Sequence, residues 1–461
     1  MALSASTVWE VRTTGVDTNG GGFVTGSSGT DYSQQAAAQY ALTGVTTAGA
    51  NAICLSASSA AVMVGNICQI TSGTNFTVGF YQILSVAVGV SFTLDRNCTI
   101  AAGAAGVVNI GGALLTIQQG LTNVSVASQV VYIKSGTYTI TTALAPSATN
   151  AGEYQTRVIG YTTTRGDEGQ PTVALSTAIN GLNASSSGWT WENLIFSGAA
   201  TGLIGVNISA AYNTFYNVKV TGFTSYGMKS AVNTAITFVR CEITSCSGTA
   251  AIDLYQTNSI YFSYIHNNTC PGIIDSQNGC NAYYCISANN TGASSDGISF
   301  SYQSSVIGCL CYGNGRDGLR FRTNLAFGIA GVVINNIFAK NGAYGLNWTS
   351  AATTTKFGWA DYNAFWSNTT AARNNLTAGT HDVTITGTDP TNDPFTSKGT
   401  GDWSLNNTAG AGALLRAVGL IGILPGSSST GYQDIGPLQH PDPGGAAGPS
   451  QFQGSFLSRP L

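Results

Sequence analysis

Four aspartates in the middle of the chain are the residues best suited to acid–base chemistry. Asp253 and Asp275 each stand one position beyond the apolar anchor of the second strand of a short repeat, and Asp296 and Asp317 each precede a glycine in the next two repeats. If the repeats stack about 4.8 Å apart, two matching carboxylates repel each other by about 3 kcal/mol at an effective dielectric constant near 20, which raises one pKa by roughly two units. One raised and one ordinary carboxyl group about 5 Å apart are the acid and the nucleophile of retaining glycoside hydrolysis.

These aspartates also have a simpler interpretation. A polar residue is expected at any outward strand position, and Asp-Gly is ordinary turn chemistry. We therefore take Asp253 and Asp275 as the first candidates for catalysis and Asp296 and Asp317 as the second. His266 is followed by two asparagines and is interpreted as part of an Asn-rich corner.

Basic and aromatic side chains near the end of the repeats are candidates for binding a ligand. Three arginines within seven positions form the densest positive patch. They can hold an acidic sugar or supply the base of a lyase, and the alternative is a solvated face or a salt bridge between subunits. Two tryptophans, for which the repeat pattern predicts a surface position, can stack on sugar rings. The candidate ligand-binding residues are Arg316, Arg320, Arg322, Trp359 and Trp366.

The ten cysteines predict neither a metal centre nor a disulfide framework. No Cys-x-x-Cys pair occurs, and Cys309 and Cys311 have no histidine or second pair beside them. The start of the chain has neither the basic nor the apolar segment of a secretory signal. We therefore expect reduced thiols, and we predict no metal and no cofactor.

The composition excludes several classes of protein. Only 8% of the residues are charged, whereas an ordinary soluble domain has about 25%, and this excludes a coiled coil. The net charge of −3 lacks the positive potential that nucleic-acid binding needs. Residues 32–94 contain no charged side chain, but polar residues interrupt them every few positions. No segment is apolar enough to cross a bilayer. From the net charge we therefore expect no nucleic-acid partner, and from the hydropathy we expect no membrane.

The middle of the chain repeats itself with a period in the low twenties. Each repeat has an apolar anchor, a polar turn rich in Asn, Gly and Ser, and a second apolar segment. This period and the alternation of apolar with polar residues are typical of the coils of a parallel β-helix. Asn and Gly suit its corners, because sharp bends need positive φ or a side chain that bonds its own backbone. The anchors are Val220, Ile243, Ile265, Ile286, Cys311, Phe338 and Phe365.

The repeats resemble those of the right-handed parallel β-helix superfamily that includes the pectate lyases. Segments on both sides are similar to the opening coils and the closing motif of that group, so the resemblance covers roughly residues 110–440. Residues 11–23 and the alternating segments between 64 and 95 are similar to parts of bacteriophage structural proteins. The segments similar to the superfamily are 130–138, 157–160, 165–169, 192–196, 393–395, 401–405 and 432–436.

We predict an all-β protein: a right-handed parallel β-helix, or solenoid, with a small N-terminal antiparallel β-module and a C-terminal cap and tail. Both ends need covering, because open strand edges pair with other chains. The predicted boundaries are 1–46 for a Gly-rich opening strand and loop, 47–108 for the inserted β-module, 109–400 for the β-helix, 401–440 for the capping segment and 441–461 for a Gly/Pro-rich tail.

The resemblance implies two alternative functions. The first is a structural or adhesive component of a phage-like virion, found on the particle or outside the cell after release. Its partners would be other virion proteins, copies of itself in a homotrimer, and a surface polysaccharide. The alternative is a polysaccharide-degrading enzyme, a glycoside hydrolase or lyase, on the same β-helix. The histidine-containing motifs of polygalacturonases and pectate lyases have no match here. We favour the first function, because it accounts for the low charge, the lack of an export signal and the N-terminal resemblance, whereas the enzyme accounts only for the stacked carboxylates.

Overall fold

The structure, a computed structural model, describes residues 3–147, 156–232, 235–277, 279–301, 303–322, 331–349, 358–421 and 433–440. The chain forms two compact units. The first comprises Met1–Ser197 and Ser209–Val218, and the second comprises Gly198–Ile208 and Lys219–Leu461. The fold is a parallel β-solenoid with an N-terminal antiparallel sheet, which confirms the predicted fold class.

A six-stranded antiparallel sheet lies in the N-terminal part of the first unit. Its inward side chains, among them Cys54, Tyr81, Phe92 and Ile110, form a hydrophobic core of their own. This is the module that the period-2 alternation predicts. A 3-10 helix, Ala61–Met63, precedes its third strand along the chain. In spatial order the strands are Tyr40–Val45, Thr99–Ile110, Ile67–Phe76, Gly79–Ala87, Ser91–Leu94 and Ile53–Leu55.

The parallel strands of the first unit form two columns. One column runs from the N-terminal strand to residues 189–192, and the other ends at residues 195–197. The helix Ile117–Asn123 begins after Thr116, whose hydroxyl accepts the backbone N–H of Gln119. The strands are Thr7–Val11, Gly22–Val24, Val130–Lys134, Thr137–Ile140, Thr156–Tyr161, Thr172–Leu175 and Leu182–Ala184, with Trp189–Ile208 and Thr214–Ser230 divided between the two units.

A buried carboxylate ties the N-terminal strand to a later coil. Glu10 is fully buried and accepts a hydrogen bond of 2.7 Å from Arg12 and bonds of 3.0 and 2.7 Å from Arg165. The hydroxyl of Tyr161 also donates to Glu10. Because a buried charge is tolerated only when it is paired and hydrogen-bonded, these contacts fix the position of the N-terminal strand.

Each complete turn of the second unit contributes three short strands, and each strand pairs in parallel with its equivalent in the next turn. The first sheet contains residues 219–221, Glu242–Thr244, Tyr264–His266, Ile286–Ala288, Leu310–Tyr312, Ile337–Ala339, Ala364–Trp366 and Val383–Ile385. The second contains residues 226–229, Ala250–Leu254, Ile273–Asp275, Ile298–Phe300, Leu319–Phe321, Tyr344–Trp348 and Ala371–Asn374. The third contains Thr237–Val239, Ser259–Tyr261, Asn281–Tyr283, Ser305–Ile307, Val332–Ile334 and Trp359–Asp361.

The interior column of the first sheet departs from the predicted anchors at one turn. Ser287, rather than Ile286, pairs with Ile265 on one side and Cys311 on the other. Ser287 is fully buried, and its hydroxyl donates a 2.7 Å hydrogen bond to the carbonyl of Gly297. Ile286 packs instead on the outward face of the sheet.

A ladder of asparagines follows one corner of the second unit. In each rung the side-chain N–H of one asparagine donates to the side-chain oxygen of the asparagine in the next turn, over 2.9 to 3.0 Å. The ladder satisfies polar groups that the bend removes from water. Asparagines lie at the corner as predicted, but the ladder bonds join neighbouring turns rather than a side chain to its own backbone. Its members are Asn268, Asn290, Asn314, Asn341 and Asn368.

The C-terminal segment covers the outward face of the first sheet. It contains an antiparallel hairpin, Phe395–Ser397 with Asp402–Leu405, and two 3-10 helices, Lys398–Thr400 and Gly412–Leu414. Its apolar side chains share one core with outward residues of the sheet, so this part of the predicted capping segment shields the side of the solenoid. The C-terminal members of that core are Phe395, Trp403, Leu405, Leu415, Ile435 and Leu438.

Candidate functional site

Asp253 and Asp275 lie on consecutive turns of the second sheet, but in different columns. Asp253 pairs with Ile274 of the next turn, whereas Asp275 pairs with Leu254 of the previous one. The prediction that the two carboxylates stack directly is therefore wrong by one residue. The reason is that Ile273 is fully buried in the interior position, so Ile274 takes the place beside Asp253.

Hydrogen bonds hold both carboxylates inside the protein. The hydroxyl of Ser276 lies 2.6 Å from each carboxylate oxygen of Asp253. Asp275 accepts bonds from the backbone N–H of Ser301 at 2.7 Å, from its hydroxyl at 3.0 Å, and from Arg322 at 2.5 Å. Because Asp253 is only 2% exposed and Asp275 is 0% exposed, neither carboxylate faces solvent.

The environment of the pair disfavours negative charge. Burial raises the pKa of Asp253 to about 6, against the hydrogen bond from Ser276 and the positive charges of Lys229 and Arg322. Burial also raises the pKa of Asp275, against the hydrogen bonds that it accepts. A carboxyl group with a pKa of about 6 can hold or release a proton near neutral pH, as a general acid does. A catalytic role for either carboxyl group stays a prediction.

Asp296 and Asp317 lie side by side on consecutive turns, where the backbone N–H of Asp317 donates to Asp296 over 3.2 Å. Arg316 binds both carboxylate oxygens of Asp296, at 2.7 and 2.6 Å. Asp317 accepts from the side chain of Asn347 at 2.6 Å and from the backbone N–H of Tyr344 at 3.1 Å. Burial raises the pKa of Asp317. These aspartates are 1% and 0% exposed, so they too lie beneath the surface.

Each guanidinium group of the predicted positive patch faces a carboxylate. The three arginine side chains are between 26 and 41% exposed, and their partners belong to the aspartates described above. The patch is therefore electrically compensated within the chain, and ligand binding by these arginines stays a prediction. The pairs are Arg316 with Asp296 at 2.6 Å, Arg320 with Asp317 at 3.6 Å, and Arg322 with Asp275 at 2.5 Å.

The two candidate tryptophans differ in exposure. Trp359 is 49% exposed on the third sheet, as a sugar-stacking residue must be, and this role stays a prediction. Trp366 is only 1% exposed, and its indole N–H donates to the carbonyl of Gly387 over 3.3 Å. Its predicted surface position is wrong, because the C-terminal segment covers the sheet on which it lies.

A histidine–glutamate pair on the first sheet is a polar cluster that the sequence pattern did not predict. His266 lies in a strand rather than at a corner, and its Nε2 is 3.2 Å from Glu242 of the previous turn. Lys219 donates to the same carboxylate oxygen at 2.9 Å, and the ring of Tyr264 stacks on His266. Burial opposes ionisation, but the bonds from His266 and Lys219 lower the pKa of Glu242. No sequence signal marks this cluster, because Glu242 pairs with Tyr264 and Thr244 pairs with His266, so Glu242 and His266 meet diagonally across neighbouring strands.

The other two histidines of the chain also pair with carboxylates. His381 Nδ1 lies 2.8 Å from Asp361, and His440 Nδ1 lies 2.7 Å from Asp434. Hydrogen bonds from His381 and from the backbone lower the pKa of Asp361 although burial opposes the shift. Both aspartates also accept backbone N–H groups, so these pairs anchor loops.

The residues that the structure describes contain no group of three or more His, Cys, Asp or Glu side chains arranged to hold a metal ion. All ten cysteines are free and buried. Within the same described ranges, no helix has the length and hydropathy that crossing a bilayer requires.

No protein-family model matches the sequence, and no curated protein matches it either. Among solved structures, the fold is similar to pectate lyase Pel9A, with 15% sequence identity, a TM-score of 0.52, and coverage of 71% of this chain and 91% of that chain. The chain has the parallel β-helix fold of a pectate lyase. At this identity, the likeness shows the fold alone.

Two further similarities have TM-scores below 0.5 and carry no weight for fold or function. Geobacillus virus E2 ORF18 shares 11% identity, with 54% of each chain covered and a TM-score of 0.36. The PL6 family polysaccharide lyase Pedsa3628 from Pseudopedobacter saltans shares 12% identity, with 58% of this chain and 82% of that chain covered and a TM-score of 0.39.

Proposed function

We propose that this protein is a structural or adhesive component of a phage-like virion, built on the parallel β-solenoid. The proposal rests on the burial and hydrogen bonding of the four candidate catalytic carboxylates of the solenoid. All four are at most 2% exposed, and each accepts hydrogen bonds from neighbouring residues. A catalytic acid must come within hydrogen-bond distance of its substrate, whereas a carboxylate that joins turns of a solenoid has to be buried and paired.

The N-terminal module supports a role in an assembly. Residues 32–94 carry no charge, and several aliphatic side chains of the module face outward. Exposed apolar groups in a module with so few charges favour contact with another protein. We propose further copies of this chain, in a homotrimer, and other virion proteins as the partners. The most exposed aliphatic side chains of the module are Ile100 at 77%, Val88 at 66%, and Val78 and Val90 at 60%.

Residues 11–23 and the segments between 64 and 95 resemble parts of bacteriophage structural proteins, and this resemblance favours the same assembly.

The proposal is tested on particles purified from the native source by density gradient. We expect this protein at a constant ratio to the major structural protein across the particle peak, before and after a high-salt wash. Its recovery only among soluble proteins would contradict the virion role. Light scattering on the purified chain should give three times the mass of the monomer.

A polysaccharide-degrading enzyme is the second candidate, and the raised pKa of Asp253 favours it. A carboxyl group with a pKa of about 6 holds a proton near pH 6, as a general acid does. Incubation with capsular and cell-wall polysaccharides, with assays for reducing ends and unsaturated products, tests this activity. Asp253→Asn and Asp275→Asn should abolish any turnover, and Glu168→Gln, at an exposed turn, is the matched control. Absence of turnover on the whole panel would count against the enzyme.

A further inference from the structure

Two thiols of the antiparallel module lie in contact. The Sγ atoms of Cys54 and Cys98 are 3.5 Å apart, and both residues are fully buried in the core of the module. The Cys98 thiol also lies 3.4 Å from the carbonyl of Asn51, much as the buried thiol of Cys246 lies 3.4 Å from a carbonyl. The contact between Cys54 and Cys98 therefore places two sulfur atoms where one covalent bond can join them.

The backbone holds the two cysteines against each other. Cys54 lies in the strand Ile53–Leu55, and Cys98 immediately precedes the strand Thr99–Ile110. The backbone N–H of Cys98 donates to Asn51 at 2.9 Å, and that of Leu94 donates to Ala52 at 2.9 Å. The segments before the two cysteines thus run side by side. A disulfide needs an S–S distance of about 2.05 Å, so closing the gap takes about 1.5 Å, within reach of side-chain rotation.

We propose that Cys54 and Cys98 form a disulfide bond when the chain folds in an oxidising medium. With oxidised glutathione as the oxidant, the Cys98 thiolate attacks one glutathione sulfur and releases one glutathione thiolate. The Cys54 thiolate then attacks Cys98 in the mixed disulfide and releases the second. The two thiol protons pass to the released glutathiones, so one disulfide is reduced as one is formed. The proposal does not depend on the function of the protein.

A third cysteine, Cys68, lies in the same core, and burial raises the pKa of its thiol. Cys68 is therefore the natural competitor, and its replacement is the matched control. Because the thiols are fully buried, the reaction takes place during folding, before the core closes.

The sequence permits a direct test. The full chain is refolded in oxidised and reduced glutathione, its free thiols are alkylated in denaturant, and it is digested with trypsin without reduction. Cleavage after Arg12, Arg96 and Lys134 places Cys54 and Cys68 on the peptide of residues 13–96 and Cys98 on that of residues 97–134. We expect mass spectrometry to find these two peptides joined in the unaltered chain and in Cys68→Ser, and separate in Cys54→Ser.

A second measurement uses the unaltered chain alone, so it does not depend on the folding of a variant. Calorimetry should show a thermal transition about 5 to 15 °C lower after reduction with dithiothreitol, since the crosslink restricts the unfolded chain. Alkylation of all ten cysteines after oxidative refolding would overturn the proposal. A link that persists in Cys54→Ser and disappears in Cys68→Ser would overturn it in favour of Cys68.

Discussion

Arg316 binds the carboxylate of Asp296 through two hydrogen bonds, of 2.7 Å from Nε and 2.6 Å from Nη2. The carboxylate is 1% exposed, whereas the arginine side chain is 32% exposed. We predict that Arg316→Ala destabilises the protein by about 2 kcal/mol, because it leaves a buried charge without its cation. Urea denaturation at pH 7, followed by circular dichroism, measures the free energy of unfolding.

The pair of Arg157 and Glu192 is the matched control for this prediction. It has the same two-bond geometry, at 2.6 and 2.8 Å, but its arginine is 50% exposed and its glutamate 13% exposed. Arg157→Ala should therefore cost about 0 to 1 kcal/mol. Equal losses for the two variants would show that burial of the carboxylate does not govern the strength of the pair.

Asp253 should make the stability of the protein fall as the pH rises. Its pKa in the folded protein is about 6, above the ordinary aspartate value of about 3.9. The folded state thus binds the proton more tightly, and the resulting stabilisation is complete below pH 4 and lost as the pH rises through 6. Asp253→Asn should therefore match the unaltered protein at pH 4 and exceed its stability by about 1 to 3 kcal/mol at pH 8. Urea denaturation at pH 4, 6 and 8 measures the difference.

Asp167 should show the opposite dependence. Backbone N–H groups of Thr162, Thr163 and Thr164 lower its pKa at an exposed turn. The stabilisation by Asp167 is therefore present above its unfolded pKa and lost as the pH falls through the lower, folded value. Asp167→Asn should destabilise the protein at pH 8, and this loss should shrink on acidification. If both aspartate variants responded to pH in the same direction, the assigned shifts would be wrong.

The asparagine ladder should be sensitive to loss of a single rung. Asn314 donates to Ser287 and Asn341 and accepts from the side chain of Asn290. Asn314→Ala removes these three buried hydrogen bonds, so we predict a loss of about 2 to 4 kcal/mol in the free energy of unfolding. Asn281→Ala, at a partly exposed strand position with bonds of 3.3 and 3.5 Å, should cost under about 0.5 kcal/mol. A ladder with no structural role would make the two losses equal.

Local patterns in the sequence predict the coils of this fold well. The low-twenties period and the Asn-rich corners lead directly to the parallel strands, because each repeat buries its anchor on the next. The exact register is harder to predict. At residues 273–274 two isoleucines compete for the interior, and at residues 286–287 the interior position belongs to a serine. A slip of one residue exchanges the inward and outward sides of a strand, and this is why the predicted carboxylate pair did not align.

Local sequence patterns do not predict contacts between distant segments. Trp366 lies on an outward position of its strand, yet residues of the C-terminal segment bury it. Glu242 and His266 meet only because neighbouring turns align their strands. The pairing of Cys54 with Cys98 likewise depends on how the antiparallel strands return past each other. These sites require tertiary structure, since no repeat or motif marks them.

Trp403 should hold the C-terminal segment on the first sheet. It is 3% exposed, its ring centroid lies 4.9 Å from that of Tyr312, and its indole N–H donates to Tyr264 at 3.2 Å. Trp403→Ala removes a large buried side chain at a cost of about 3 to 5 kcal/mol, and we expect the segment to detach. Trypsin should then cut after Lys398 and Arg416 at least about 100-fold faster, because each 1.4 kcal/mol corresponds to a factor of ten. Trp359→Ala, at a 49% exposed position, should leave the cleavage rate within about twofold, and equal rates for the two variants would contradict this role of Trp403.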